Sequence, residues 1–362
     1  MSDLTVIVEP DGQGALPDVL RPEDRERRRA LFADGTAPNT LRGYRSDRAY
    51  WEAWHAATVG TPLPLAAGQA VSVAVVERFI LDHVEGLDPR VEAALLAAGI
   101  KRKPGPHRLA TVERRLACLA AMHRMLDLPP PTLSAPIREL LKVTRRALAR
   151  RGVTPKKARA ATRDEVLLPL LAVSTGNATE DLRDRALLLV GWASGGRRRS
   201  EIVALRIEDL EAVGDDYVLT LGVRKARQDG ARKAFPVRGR AAAALRAWLA
   251  VLAEEGIVDG PLFRKVSKRG RVVTIRGADG EPRPLSDRTV ARIVQERARL
   301  AGLDPAGLSA HSLRAGFLTQ AGRDGVPLQE AMALSDHRSL SVAAGYYEAG
   351  DALRNRAGDL LG

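Results

Sequence analysis

Between Lys142 and Arg163 the chain carries nine positive side chains and not one acid. A stretch of unpaired ions cannot enter an apolar interior, so it must run over a surface. It therefore separates the apolar residues on either side into two cores. Length points the same way, because single cores stop growing near about 250–300 residues and this chain has 362. The expected organisation is a flexible arm over 1–36 and a helical domain over 37–151. A basic linker over 152–161, a second domain over 162–350 and a short tail over 351–362 follow.

The net charge is +13, and only nine of the 57 basic residues are lysine. The planar guanidinium of arginine can take a phosphate through two parallel hydrogen bonds. The run reads as a strap along a nucleic-acid backbone, with Arg145, Arg146, Arg150, Arg151, Lys156, Lys157 and Arg159 as candidate contacts to duplex DNA. The single cysteine, Cys118, lies in an apolar run. One cysteine excludes an intrachain disulfide and argues against a thiolate metal site. No stretch approaches about 18 consecutive apolar residues, and Met1-Ser2-Asp3 does not open like a signal peptide, so a soluble cytoplasmic protein is expected. Gly195-Gly196 is followed by arginines rather than Lys-Ser, which gives no support for a nucleotide-binding loop.

Apolar spacing predicts helices near 38–54, 72–84, 111–126 and 135–151, a small bundle with Trp51 and Trp54 inside. His55, His83, His107 and His123 are scattered through it and are expected to be structural or surface groups. In the second half, Thr162 to Glu165 resembles a capping box. Helices are expected at 182–192, 240–255 and 286–301. Tyr217–Val223 and Ala234–Val237 read as strands around a turn at 228–230, and Asp215-Asp216 reads as a turn.

The chemistry concentrates late in the chain. His311 and Arg314 stand three apart and share a helix face, and His337, Tyr346 and Tyr347 follow. Upstream, Arg198 stands three before Glu201, a spacing that lets the carboxylate hold the guanidinium. A phenol beside arginines and histidines can attack a phosphodiester while the cations hold its charge. His337 and Tyr346 could not face one phosphate from one straight helix, since nine residues turn about 900°. A break between them, capped by Ser339 or Ser341, would allow it.

In this order the residues resemble the tyrosine recombinase, or phage integrase, family. Its first box, Gly-Leu-Arg-x-x-Glu-Leu, is matched by Gly196-Arg197-Arg198-Arg199-Ser200-Glu201-Ile202, and spacing back from Glu201 selects Arg198 among the three arginines. Lys225 matches the hairpin lysine, with Lys233 the second candidate. His311 and Arg314 match the second box, and the spacing from His337 selects Tyr346 over Tyr347. Asp336 stands where the family usually has glycine. Residues 39–54 and 111–126 look like the core-binding domain of Cre-type recombinases.

The resemblance implies a mainly helical fold with a small β-hairpin or sheet: a helical core-binding domain and a mixed α/β catalytic domain. It implies site-specific strand exchange through a 3′-phosphotyrosine, with no metal, ATP or other cofactor. Arg198, Lys225, His311, Arg314, His337 and Tyr346 would be catalytic, with Glu201 in support. The implied partners are double-stranded DNA carrying recombination sites and further copies of the chain in a homotetramer, the tail docking on a neighbour. A type IB topoisomerase shares this chemistry, and a non-catalytic DNA-binding protein could share the fold.

Overall fold

A computed structural model describes residues 22–36, 38–153, 159–221, 233–337 and 339–347. The chain divides into two compact units, Met1–Lys156 and Lys157–Gly362.

The first unit is helical: α1 (Pro22–Gly35), α2 (Pro38–Val59), α3 (Val73–Glu85), α4 (Pro89–Ala97), α5 (Leu109–Met125) and α6 (Ala135–Arg150). Two of these differ from expectation. Residues 22–35 lie within the stretch expected to be an arm, yet form α1, with acids in its first turn where the helix dipole favours them. Arg28 of α1 makes a two-pronged ion pair with Asp127 at 3.1 and 3.0 Å. Helix α4 starts at Pro89 behind an Asp88 N-cap, a start signal that a search for long apolar periodicity passes over.

Trp51 and Trp54 are fully buried, as their spacing required. Phe79 stacks on Trp51 at 3.7 Å and meets Trp54 edge-on at 4.9 Å. The histidines here are structural. His83 Nδ1 lies 2.6 Å from the Phe79 carbonyl, and its Nε2 lies 2.8 Å from the Tyr50 hydroxyl. His107 Nε2 lies 3.1 Å from the same hydroxyl. The chain of bonds is complete with both rings neutral, His107 donating to Tyr50 and Tyr50 to His83. Burial lowers His83 from 6.5 to about 3 and His107 to about 4.

An acid-labile bundle follows. With both folded-state values depressed, the unfolded chain binds more protons below pH 6.5, so stability falls as pH drops from there toward 4. Hydrogen exchange of α2 and α3, corrected for intrinsic rates, should show lost protection at pH 4.5 relative to pH 7. Equal protection would contradict the neutral network.

The second unit packs helices around a small sheet. A π-helical turn at Arg163–Leu167 leads into α7 (Leu168–Ala172). There Thr162 spends its hydroxyl on the Glu165 carboxylate at 3.0 Å and makes no side-chain cap to the helix backbone. The buried α8 (Ala178–Ala193) and short α9 (Arg199–Ala204) come next. Strands β1 (Leu210–Val213), β2 (Asp216–Leu221) and β3 (Lys233–Val237) form an antiparallel sheet in that order. Its register sets Leu219 opposite both Leu210 and Phe235, and Leu219, Phe235 and Val237 are buried in the core. The turn at 228–230 lies outside the described residues. Helix α10 (Arg240–Glu254), a short ribbon of β4 (Lys265–Val266) and β5 (Val272–Val273), and α11 (Asp287–Leu300) precede the site helices. These are α12 (Ala310–Arg323), α13 (Leu328–Ser335) and α14 (Leu340–Tyr347).

Candidate active site

Two glycines bring the pieces together. After α8 the chain turns through Gly195 and Gly196 at φ +98° and +67°. A Cβ on Gly195 would lie 2.5 Å from the Leu334 carbonyl oxygen, and one on Gly196 would lie 2.3 Å from the Arg314 Cα. Only glycine combines that backbone with that approach. The turn is therefore pressed against α12 and the end of α13, which delivers the arginine box to the His-x-x-Arg helix. Gly196→Ala is expected to cost more than about 1–3 kcal/mol, because backbone strain adds to a backbone clash. A chemical melt within 0.5 kcal/mol of wild type, roughly the scatter of neutral surface changes, would contradict the packing.

The three adjacent arginines have three fates. Arg197 is fully buried. Arg199 leaves the cluster to pair with Asp287 at 3.0 Å. Arg198 occupies the N-cap position of α9 and is held by buried Glu201, whose Oε1 accepts from Nη1 at 2.5 Å and whose Oε2 accepts from the Arg198 backbone N–H at 3.1 Å. Its guanidinium stays half-exposed. Glu201 Oε2 also lies 4.0 Å from Nη1 of Arg197, but both of its hydrogen bonds come from Arg198.

On α12, Ser309 caps the helix by accepting from the His311 N–H at 3.2 Å. His311 and Arg314 then share a face. Arg314 is buried, with Nη1 donating to the Gly196 carbonyl at 3.1 Å and Nε to His337 Nε2 at 3.1 Å. Those bonds use two of the five N–H donors a guanidinium carries. Burial, with Arg198 and Arg197 nearby, lowers Arg314 to about 10.

The break required between His337 and Tyr346 is present. Helix α13 ends at Asp336, in the left-handed region at φ 57°. Ser339 Oγ accepts from the Val342 N–H at 3.4 Å at the start of α14. His337 Nδ1 lies 2.7 Å from Ser335 Oγ. Since Nε2 accepts from Arg314, the ring is neutral and Nδ1 donates. Burial, then Arg314, Arg198, His311 and Arg197, lowers His337 to about 4.

The Tyr346 hydroxyl lies 3.0 Å from His311 Nε2. Burial, then Arg314, lowers His311 below its ordinary 6.5. A neutral ring can take the phenol proton. Tyr347 points elsewhere, donating to the Val326 carbonyl at 2.6 Å. A small apolar cluster of Leu318, Ala321, Ala331 and Ala343 seats α14, and Thr319 donates to the Tyr346 carbonyl at 2.9 Å. That anchor gave no signal in the sequence.

The structure thus gathers Arg198, Glu201, His311, Arg314, His337 and Tyr346. Lys225 lies outside the described residues, as do Lys156 and Lys157. Arg145, Arg146, Arg150, Arg151 and Arg159 are exposed, and Arg145 pairs with Glu113 at 2.6 Å. Among the described residues no three His, Cys, Asp or Glu side chains could hold a metal ion together, and no helix is long and apolar enough to cross a membrane.

A unit built this way has the fold of the tyrosine recombinases. Residues 161–352 match the phage integrase family, and with more than half of the chain matched the protein belongs to that family. An integrase/recombinase XerD homolog of Selenomonas ruminantium is 34% identical over 179 residues, 49% of this chain and 50% of its own. The tyrosine recombinase XerD of Xanthomonas axonopodis pv. citri is 32% identical over 187 residues, 49% and 54% of the respective chains. The chain spans about half the length of the curated relatives it matches. Among solved structures, XerH site-specific recombinase bound to palindromic difH substrate, in a post-cleavage complex, aligns with a TM-score of 0.59 and 16% identity, covering 94% of this chain and 84% of its own. The Tn1549 transposon integrase in complex with transposon right-end DNA gives 0.55 and 12%, covering 99% and 98%. At these identities the likeness is one of fold.

Proposed function

We propose that the protein is a site-specific DNA recombinase that cuts and rejoins strands through a 3′-phosphotyrosine on Tyr346. The observation that carries this is the Tyr346 hydroxyl 3.0 Å from a neutral His311, beside Arg314 and His337. A phenol with an ordinary pKa near 10 is a weak nucleophile until a base or a positive field acts on it. As Tyr346 Oη attacks the phosphorus, its proton passes to His311 Nε2. The bond from phosphorus to O5′ breaks, leaving the phosphate between the 3′ end and the enzyme and freeing a 5′-hydroxyl. Arg198 and the remaining donors of Arg314 receive the non-bridging oxygens. Lys225 is the proposed proton donor to O5′. A 5′-hydroxyl from a second strand then attacks the phosphorus and gives its proton to Lys225, while the bond from phosphorus to Tyr346 Oη breaks and Oη takes its proton back from His311. The bond energy stays in the link, so the cycle needs no ATP, and no step in it calls for a metal.

His337 in the free protein accepts from Arg314. To donate to a phosphate it must carry a proton on Nε2, and the phosphate's negative charge favours gaining one over a change of tautomer, so DNA binding should raise it from about 4. Calorimetry near pH 5.5 in buffers of different ionisation heat is expected to show proton uptake on binding, absent in His337→Asn. Equal uptake in the variant would assign the proton elsewhere.

Duplex DNA is the proposed partner, gripped along exposed Arg145, Arg146, Arg150, Arg151 and Arg159, with four protomers on two paired sites. The test is capture. Protein is mixed with a random-sequence duplex library carrying nicks, in EDTA, and DNA in denaturant-resistant adducts is sequenced. A recurring motif is expected. Adducts without sequence preference would favour a topoisomerase, and tight binding without adduct a non-catalytic DNA-binding protein.

A further inference from the structure

Two cations that the proposed chemistry does not use converge on the end of α13. Lys233, the first residue of β3, donates from Nζ to the Ala333 carbonyl and lies 3.4 Å from the Asp336 carboxylate. Arg197, buried in the turn after α8, donates from Nη2 to the Leu334 carbonyl. Phe235 of β3 spaces them, with the Arg197 guanidinium 4.0 Å and the Lys233 ammonium 5.3 Å from its ring centre. The last carbonyls of a helix lack intrahelical partners and carry its negative pole, so two cations suit them. The turn they close is the one that presents His337.

We propose that Lys233 and Arg197 are positioning residues that clamp the C-terminal turn of α13 and so hold His337 against Arg314. The inference rests on the strand-cleavage reading above. It sets Lys233 apart from the proton donor, since its ammonium is committed to α13. Lys233 also opens β3, so the sheet strand that buries Phe235 in the core is anchored to the turn before His337. Arg197 and Asp336 occupy the positions where the family's usual motifs carry leucine and glycine, which makes the clamp a feature of this chain's own residues.

Two measurements test it. Single-turnover cleavage is followed on the captured site with an ordinary scissile phosphate and with sulfur as the bridging 5′ atom. A thiolate leaves without a proton, so sulfur rescues a missing proton donor and not a misplaced ring. Lys233→Met and Arg197→Met are each expected to slow cleavage about 100-fold on both substrates, while Lys225→Ala recovers on sulfur. Rescue of Lys233→Met by sulfur would make it the proton donor and overturn the proposal, as would an unchanged rate in both variants. The second measurement needs no DNA. Histidine NMR of the free full chain should show His337, which faces Arg314, Arg198, His311 and Arg197, titrating near 4 in wild type and closer to 6.5 in either variant. An unaltered titration would overturn the clamp even if the cleavage reading stands. Wild-type protein that captures no DNA while the NMR shift appears would instead sink the cleavage reading.

Discussion

Tyr346→Phe is expected to abolish covalent capture of DNA while leaving duplex affinity intact, and Tyr347→Phe to keep the adduct. The two side chains are neighbours on α14, about 100° apart around its axis, so a single phosphate can meet only one of them. The Tyr346 hydroxyl faces His311 at 3.0 Å, whereas the Tyr347 hydroxyl is spent on the Val326 carbonyl. Removing the Tyr347 hydroxyl should cost about 1 kcal/mol of stability, the ordinary worth of one hydrogen bond. Gel retardation and a denaturing gel on the same reactions separate binding from chemistry. Capture surviving in Tyr346→Phe would mean that another group attacks.

Arg314→Ala should lower the single-turnover cleavage rate by about 10²–10³, the usual effect of deleting one donor to a developing oxyanion. It should also leave the Gly196 carbonyl without its partner, at a cost of about 1–3 kcal/mol, because Arg314 fastens the glycine turn to α12. His337 loses its donor as well, so its titration should rise toward 6.5. Rate, melting point and the His337 titration should therefore move together. A rate loss with an unmoved His337 titration would mean that Arg314 acts on DNA alone and does not organise the site.

Much of this site was legible because its information is local. The spacing of His311 and Arg314 places them on one face, Glu201 selects Arg198 among three arginines, and the need for a break before Tyr346 is met by Ser339. The buried tryptophans and the strands around Leu219 and Phe235 follow from periodicity in the same way. What stayed hidden depends on contacts distant in sequence. Its spacing from Glu201 does not say that Arg197 is buried, since the Leu334 carbonyl it donates to lies 137 residues away. Lys233 read as a second candidate for the hairpin lysine, and only the fold carries it to the end of α13. Strand β1 is short and mostly exposed, so it lacks the alternation that betrays a strand. Helix α1 escaped because its charge resembles a solvated arm, although acids in its first turn and the Arg28–Asp127 ion pair support it.

The most direct test of the central claim is to digest the trapped complex with protease and nuclease and to locate the residual nucleotide by mass spectrometry. The account predicts that the peptide spanning α14 carries a nucleotide through its 3′-phosphate, with the mass shift assigned by fragmentation to Tyr346. A nucleotide on Tyr347 or on any other side chain, or one linked through its 5′-phosphate, would contradict it.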